Sequence, residues 1–412
     1  METDSSNYTN EQNMRRLLTV LAACSFFVGL DSLITVPLLP AIVASSSLAK
    51  ESGVFLVTAY ALAYMLTAPI FGALSDYWGR KRLLVAGVLV LAAGTALTGL
   101  GDGLVSLMVY RSITGIGAGM IQPAVFAMIG DSVTFEKRGR AMGIVTGAMV
   151  ASTLFGVPAG AFLAQTGSWQ TTFWIVAGLA LLLLIPLRWL PKEEMKQSDG
   201  WRLALRSTGG LFHTAISSRV VGYALIATFL WYGGLQGLFA NIGLFYDQSY
   251  DLNTAEIGQV IMLAGLGSFI GSVWGGRLAD RFGKKVAITC AGVITVIAVA
   301  NLPFLTRQLE LTIGVHVIWA MAFSVGQTAL TALISELRPE VRGTVMSLNS
   351  AAMFAGMMVL TGLSSPLLQA GGFAFVGYLC AVASLLAVMI ARFRLTDNPL
   401  RERVLCMDQQ NG

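Results

Sequence analysis

Charged residues are scarce in this chain: Asp, Glu, Lys and Arg make up 12% of its 412 residues, against 55% hydrophobic, and the mean hydropathy is +0.70. A soluble domain carries roughly a quarter of its residues as charge, so a water-facing globule is excluded. Cysteine and histidine are scarcer still. Cys24, Cys290, Cys380 and Cys406 share no paired spacing, which predicts neither a disulfide framework nor a metal site. Two distant histidines, no HExxH, no GxSxG and no cluster of acids at one membrane face argue against a polytopic membrane enzyme. No Walker A sequence is present, so ATP is not the energy source, and no cofactor or metal is expected.

Apolar length is abundant instead. Twelve candidate spans run at about 17–41, 53–74, 83–101, 104–129, 141–164, 171–190, 220–245, 256–278, 286–305, 311–334, 344–368 and 373–393. Stretches of this length, at 1.5 Å per residue, cross a hydrocarbon core of roughly 30 Å. The first follows Arg15-Arg16 and imitates a secretory signal, but its length and Asp31 make it an uncleaved helix. The basic balance, +5 with pI ≈ 9.1, does not imply nucleic acid, because the Lys and Arg residues fall in short clusters between spans. Only Lys50 and Arg307 fall opposite the remaining clusters, so both termini and the middle loop are expected in the cytoplasm.

The only long polar segment, 188–219, divides the spans six and six. The expected fold is therefore an all-α polytopic membrane protein of twelve transmembrane helices: an N-terminal bundle at 1–187, a cytoplasmic linker at 188–219, and a C-terminal bundle with its tail at 220–412. A monomer in the bilayer of a bacterial-type cell membrane is expected.

The two halves share a repeat. "GALSDYWGRKR" at 72–82 returns as "GRLADRFGKK" at 276–285, so that Gly72, Leu74, Asp76, Gly79 and Lys81 recur 204 residues later as Gly276, Leu278, Asp280, Gly283 and Lys285. "EKRGRAMG" at 136–143 meets "EVRGTVMS" at 340–347 in the same register. Two loops in one register imply a duplicated six-helix unit, which suits a machine whose halves rock about a site between them.

These residues resemble the major facilitator superfamily over nearly the whole chain. Gly72, Leu74, Asp76, Gly79, Arg80 and Lys81 fill its 2–3 loop pattern Gly-x-Leu-x-Asp-x-x-Gly-Arg-Lys. Arg111 with "GIGAG" at 115–119 is similar to the fourth-helix pattern of proton-coupled members, and "PLLP" at 37–40 resembles the end of helix 1 in drug and metabolite exporters. The fifth-helix bend is filled by Gly156, Pro158 and Gly160, as Gly156-Val157-Pro158-Ala159-Gly160, where the antiporter pattern reads Gly-Pro followed by a glycine pair. The resemblance implies a conformational latch made of Gly72, Asp76, Gly79, Arg80 and Asp131. In it Asp76 would meet the start of the eleventh helix and Arg80 would pair with Asp131. In the second half Ser335 stands where Asp131 would repeat, with Glu336 adjacent.

Asp31 is the one acid well inside a span, where a charge costs at least ~2.5 to 3.5 kcal/mol. It lies about 13 Å below the outer end of the first helix, and Arg111 about 10 Å below that of the fourth, so the two share a depth. Helices 1 and 4 line the central cavity in the superfamily, which makes a direct or water-bridged pair the expectation. The planar fork of Arg111 can hold a carboxylate by two hydrogen bonds. Asp31 is the candidate proton carrier and Arg111 its regulator.

On the tenth span His316, Trp319, Phe323 and Gln327 share a face. The seventh offers Trp231, Tyr232, Gln236 and Asn241, and the fourth Gln122 in line with Arg111. Aromatic walls with few hydrogen-bonding groups suit a small amphiphilic molecule. The expected function is proton-coupled secondary transport, with efflux of such compounds by antiport. The alternative is proton-linked uptake or facilitated diffusion of a sugar or metabolite, and a transporter-like receptor is a third class.

Overall fold

The computed structural model describes residues 2–46, 48–133, 135–190, 218–338 and 342–395, with the backbone alone at 2–12, 73, 76–77, 135–140, 342–344 and 347. The described residues contain helices and no strand. In lipid no water is at hand for backbone N–H and C=O groups, and a helix satisfies each of them within its own segment.

In chain order the helices are α1 Glu2–Ser45, α2 Phe55–Trp78, α3 Arg80–Thr98, α4 Leu104–Ser132, α5 Phe135–Ala151, α6 Val157–Thr166, α7 Trp169–Leu182 and α8 Leu184–Leu187. They continue as α9 Arg219–Phe239, α10 Ile242–Tyr250, α11 Thr254–Phe282, α12 Lys284–Asn301, α13 Leu309–Leu337 and α14 Arg342–Arg394. The chain forms two compact units, residues 1–205 with 251–262, and residues 206–250 with 263–412. Most of the expected linker at 188–219 lies outside the described residues.

Among the described residues eleven helical stretches are long and apolar enough to cross a membrane. The last, Leu348–Arg394, holds 47 residues and as one straight helix would rise about 70 Å, more than twice a hydrocarbon core. It is broken at Gly371 (φ −153°, ψ 18°) and Gly372 (φ 66°, ψ −160°). The break falls in the gap between the expected eleventh and twelfth spans, so the count is compatible with twelve. Many helices overrun their expected ends: the first stretch covers Asn13–Ser45 and the tenth Leu309–Leu337. Side chains such as Phe155, Trp174, Trp274 and Phe393 are exposed, as a surface facing lipid requires.

The repeat is structural as well as textual. Gly79 ends α2 at φ 84°, and Gly283, 204 positions later, ends α11 at φ 91°. A left-handed residue at the same place in both turns explains why glycine recurs there, since a Cβ would be strained. Within the first unit α4 packs against α1, α2 and α3, and α1 runs along α5. A Cβ on Gly117 would meet the Leu91 backbone, so the small residues of "GIGAG" set how closely α3 and α4 approach. In the second unit α9 lies along α14, and α12 packs on α13 and α14.

Candidate functional site

Four helices of the first unit meet at Asp31. Its side chain on α1 and that of Arg111 on α4 are both 0% exposed, and Arg111 Nη1 donates to Asp31 Oδ2 at 2.8 Å. Thr95 of α3 donates to the other carboxylate oxygen, Oδ1, at 2.8 Å. Tyr60 of α2 lies under the guanidinium, its ring centre 4.9 Å from Arg111 Cζ. The shared depth expected from the sequence is thus realised as a direct ion pair.

The fork is used differently from the expectation. Arg111 Nη2 donates to the main-chain oxygen of Asp31 at 2.8 Å, so the guanidinium bridges the carboxylate and backbone of one residue rather than both carboxylate oxygens. Arg111 Nε is buried without a hydrogen-bond partner among the described residues. In a medium of low dielectric such a pair is strongly held, and loss of either partner strands a charge.

The turn after α2 supplies a second cluster. Arg80 Nε donates to Asp131 Oδ2 at 3.1 Å, with the side chains 12% and 61% exposed, and Arg80 Nη1 reaches Ser75 Oγ. Lys81 Nζ donates to the carbonyls of Arg188 at 2.8 Å and Leu190 at 2.5 Å, placing a cation at the carboxyl end of α8, where a helix dipole favours it. Gly72 faces Pro123 of α4. The Asp76 side chain, and with it the expected contact to the eleventh helix, lies outside the described residues. In the second unit Lys284, 204 positions after Arg80, pairs with Glu336 at 2.5 Å. The acid missing at Ser335 is replaced by its neighbour.

The fifth-helix glycines and proline bear on the same helix as Asp31. Ser152–Gly156 forms a π-turn just ahead of Pro158, whose missing N–H interrupts the α-helical ladder. Gly156 faces Phe26 and Leu30, and Gly160 faces Ile34, all on α1.

The polar and aromatic side chains expected in a substrate cavity divide between the units. In the second, Trp231 stacks on Phe323 with ring centres 5.6 Å apart, and Tyr232 lies 6.2 Å from Phe323 and 6.3 Å from Phe354. His316 is buried among Phe239, Tyr246 and Trp319, with Nδ1 3.3 Å from the Tyr246 hydroxyl. Gln327 Nε2 donates to Thr331 Oγ1 at 3.2 Å. Gln236 Oε1, Gln327 Oε1, Trp231 Nε1, Trp319 Nε1 and His316 Nε2 are buried without hydrogen-bond partners among the described residues, and so are both amide atoms of Gln122 in the first unit. Asn241 Nδ2 donates to Gly237 O at 2.9 Å and Ser364 Oγ at 2.8 Å, joining the α9–α10 break to α14, while its Oδ1 is buried without a hydrogen-bond partner among the described residues.

The chain matches the family model described as Major Facilitator Superfamily over residues 21–345. It belongs to the major facilitator superfamily. Among curated relatives, the uncharacterized MFS-type transporter YwfA of Bacillus subtilis is 27% identical, covering 94% of this chain and 95% of its own. Multidrug resistance protein 2 of the same organism is 24% identical over 83% and 85%. The inner membrane transport protein YdhP of Escherichia coli is 24% identical over 93% and 96%. Of solved structures, a bacterial homolog of the human lysosomal transporter Spinster, inward-facing and unoccupied, superposes with TM-score 0.69 at 17% identity, over 93% of this chain and 96% of that one. The protein is a multi-pass membrane transporter and not an enzyme, its substrate a small molecule.

Within this major facilitator protein, the contacts of Thr95, Tyr60 and Lys81 are not evident from the sequence. Thr95 and Tyr60 are polar residues inside apolar spans, which is a weak signal, because a threonine hydroxyl commonly bonds its own helix. Lys81 was legible as part of the loop motif, though its carbonyl partners were not.

Proposed function

We propose that this transporter exports small amphiphilic molecules in exchange for protons, with Asp31 carrying the proton and Arg111 governing when it is released. The observation that carries the reading is the membrane-buried Asp31–Arg111 pair at 2.8 Å with no exposure of either side chain. A buried pair is weak evidence of stability, since the desolvation cost rivals the attraction, and ionisable groups within spans mark ion pathways and proton relays. An alternating function for the pair explains its presence better than a fixed strut. One proton moved across 100 mV supplies about 2.3 kcal/mol, roughly a fiftyfold concentration ratio.

The aromatic residues and orphaned amide, indole and imidazole atoms favour an amphiphilic substrate, and multidrug resistance proteins among the relatives support export. The working unit is taken to be the monomer. Inverted membrane vesicles test direction. Acidifying the lumen should drive uphill accumulation of fluorescent amphiphilic dyes, whereas accumulation only when the outside is acid would favour uptake.

A further inference from the structure

We infer that Thr95 is the positioning residue of the proton site and that the proton resides on Oδ1 of Asp31, the oxygen that Arg111 does not touch. The inference rests on the proton-coupling reading above and specifies its atoms.

The two carboxylate oxygens are not equivalent. Oδ2 faces Arg111 Nη1, and a guanidinium has five donors and no acceptor, so a proton on Oδ2 would weaken that bond and find no acceptor in Arg111. Oδ1 faces the Thr95 hydroxyl at 2.8 Å, which can both donate and accept. That hydroxyl has a second acceptor, the Leu91 carbonyl one turn back in α3, also at 2.8 Å. One hydrogen cannot serve two acceptors fully, so the site has two arrangements of equal heavy-atom geometry.

With Asp31 ionised, the Thr95 hydrogen lies toward Oδ1, because a bond to a charged acceptor is the stronger. With Oδ1 protonated, the acid's O–H donates to Thr95 Oγ1 and the hydroxyl hydrogen turns to Leu91 O, the common back-bond of a helical threonine. The proton arrives at Oδ1 and leaves from Oδ1, and the Thr95 O–H bond is never broken. Arg111 meanwhile keeps the Asp31 main-chain oxygen. Neither state leaves the Asp31 carboxyl or the Thr95 hydroxyl without a partner in a medium where such groups are costly.

The surroundings contain few competitors. Among the described residues, Arg111 from α4 and Tyr60 from α2 beneath it are the charged and titratable groups in contact at the pair. Of the other helices packed on α1, residues 141–166 and 169–187 contain no titratable side chain, and Glu136, Lys137, Arg138 and Arg140 stand at the start of α5, their side chains outside the described residues. On α1 itself Cys24 is the nearest titratable residue in sequence.

The experiment is a pH titration of the purified transporter by infrared difference spectroscopy, which needs no substrate. The carboxylic C=O band that appears on acidification and is lost in Asp31→Asn is the Asp31 band, expected at the position of a hydrogen-bonded acid. In Thr95→Val, similar in shape but without the hydroxyl, the band should move to higher wavenumber, because the acid loses its hydrogen-bond partner. Thr95→Ser should restore it. An unmoved band in Thr95→Val would overturn the inference. If Thr95→Val does not fold, a wild-type band at the position of a free acid overturns it, and a hydrogen-bonded band retained in Thr95→Ser supports it. A wild-type spectrum with no Asp31 band at any pH overturns the inference together with the proton-coupling reading. A band that is present but indifferent to Thr95 removes the inference alone.

Discussion

Replacing Arg111 by lysine separates the charge of the pair from its geometry. A lysine keeps the cation beside Asp31 but has one nitrogen, which cannot reach both Oδ2 and the main-chain oxygen as Nη1 and Nη2 do. It forfeits one hydrogen bond to a neutral carbonyl, worth about 1 kcal/mol, and part of the stacking on Tyr60, worth about 0.5–2 kcal/mol. The expected loss is therefore about 1.5–3 kcal/mol. Arg111→Ala strands a buried carboxylate and should cost more, about 3–5 kcal/mol. Adding Asp31→Asn to Arg111→Ala should cost nothing further, because the charge left unpaired is gone. Thermal unfolding in detergent, followed by tryptophan fluorescence, should order the proteins as wild type, Arg111→Lys, then the double mutant at or above Arg111→Ala. Transport should fall in Arg111→Lys with its pH optimum moved. If the double mutant instead falls below Arg111→Ala by the full cost of Asp31→Asn alone, the two residues are energetically independent, and the reasoning from their contact is wrong.

Gly79→Ala and Gly283→Ala should each destabilise by about 1–2 kcal/mol, because both positions are left-handed; similar shifts in thermal unfolding would check that the two turns are equivalent. Gly326→Ala puts a methyl group into the Trp231 ring and should cost about 1–3 kcal/mol, with a change in tryptophan emission as the indole leaves Phe323. Arg80→Ala breaks a pair whose acid is 61% exposed, so stability should change by no more than about 1 kcal/mol. Turnover in proteoliposomes should change far more if the turn acts as a latch, and unchanged turnover would reduce the turn to a structural hairpin.

Most of the scaffold was legible because lipid makes backbone choices simple. Apolar length predicts a helix, the 204-residue register predicts the repeated turn, and the rise per residue put Asp31 and Arg111 at one depth. What was illegible depended on rotamers and on short-range competition for hydrogen bonds. Nothing in the spacing of Asp31 and Arg111 says that one arm of the fork takes the Asp31 main-chain oxygen or that Thr95 bonds the other carboxylate oxygen. Nor does the sequence say that Gly237 and Ser364 on α14 take the Asn241 amide nitrogen and leave its Oδ1 unpaired among the described residues. The shift from Asp131 to Glu336 as acidic partner was readable in outline, because Glu336 stands next to the register position. That Lys284 reaches it required coordinates.

The most direct test of the central claim compares two assays on Asp31→Asn in the same proteoliposomes. Exchange of a preloaded fluorescent amphiphile against external substrate needs alternating access but no proton, while uphill accumulation driven by a pH gradient needs both. The account predicts that Asp31→Asn keeps exchange and loses uphill accumulation. Undiminished pH-driven accumulation by Asp31→Asn would contradict it, and the proton would have to be carried elsewhere.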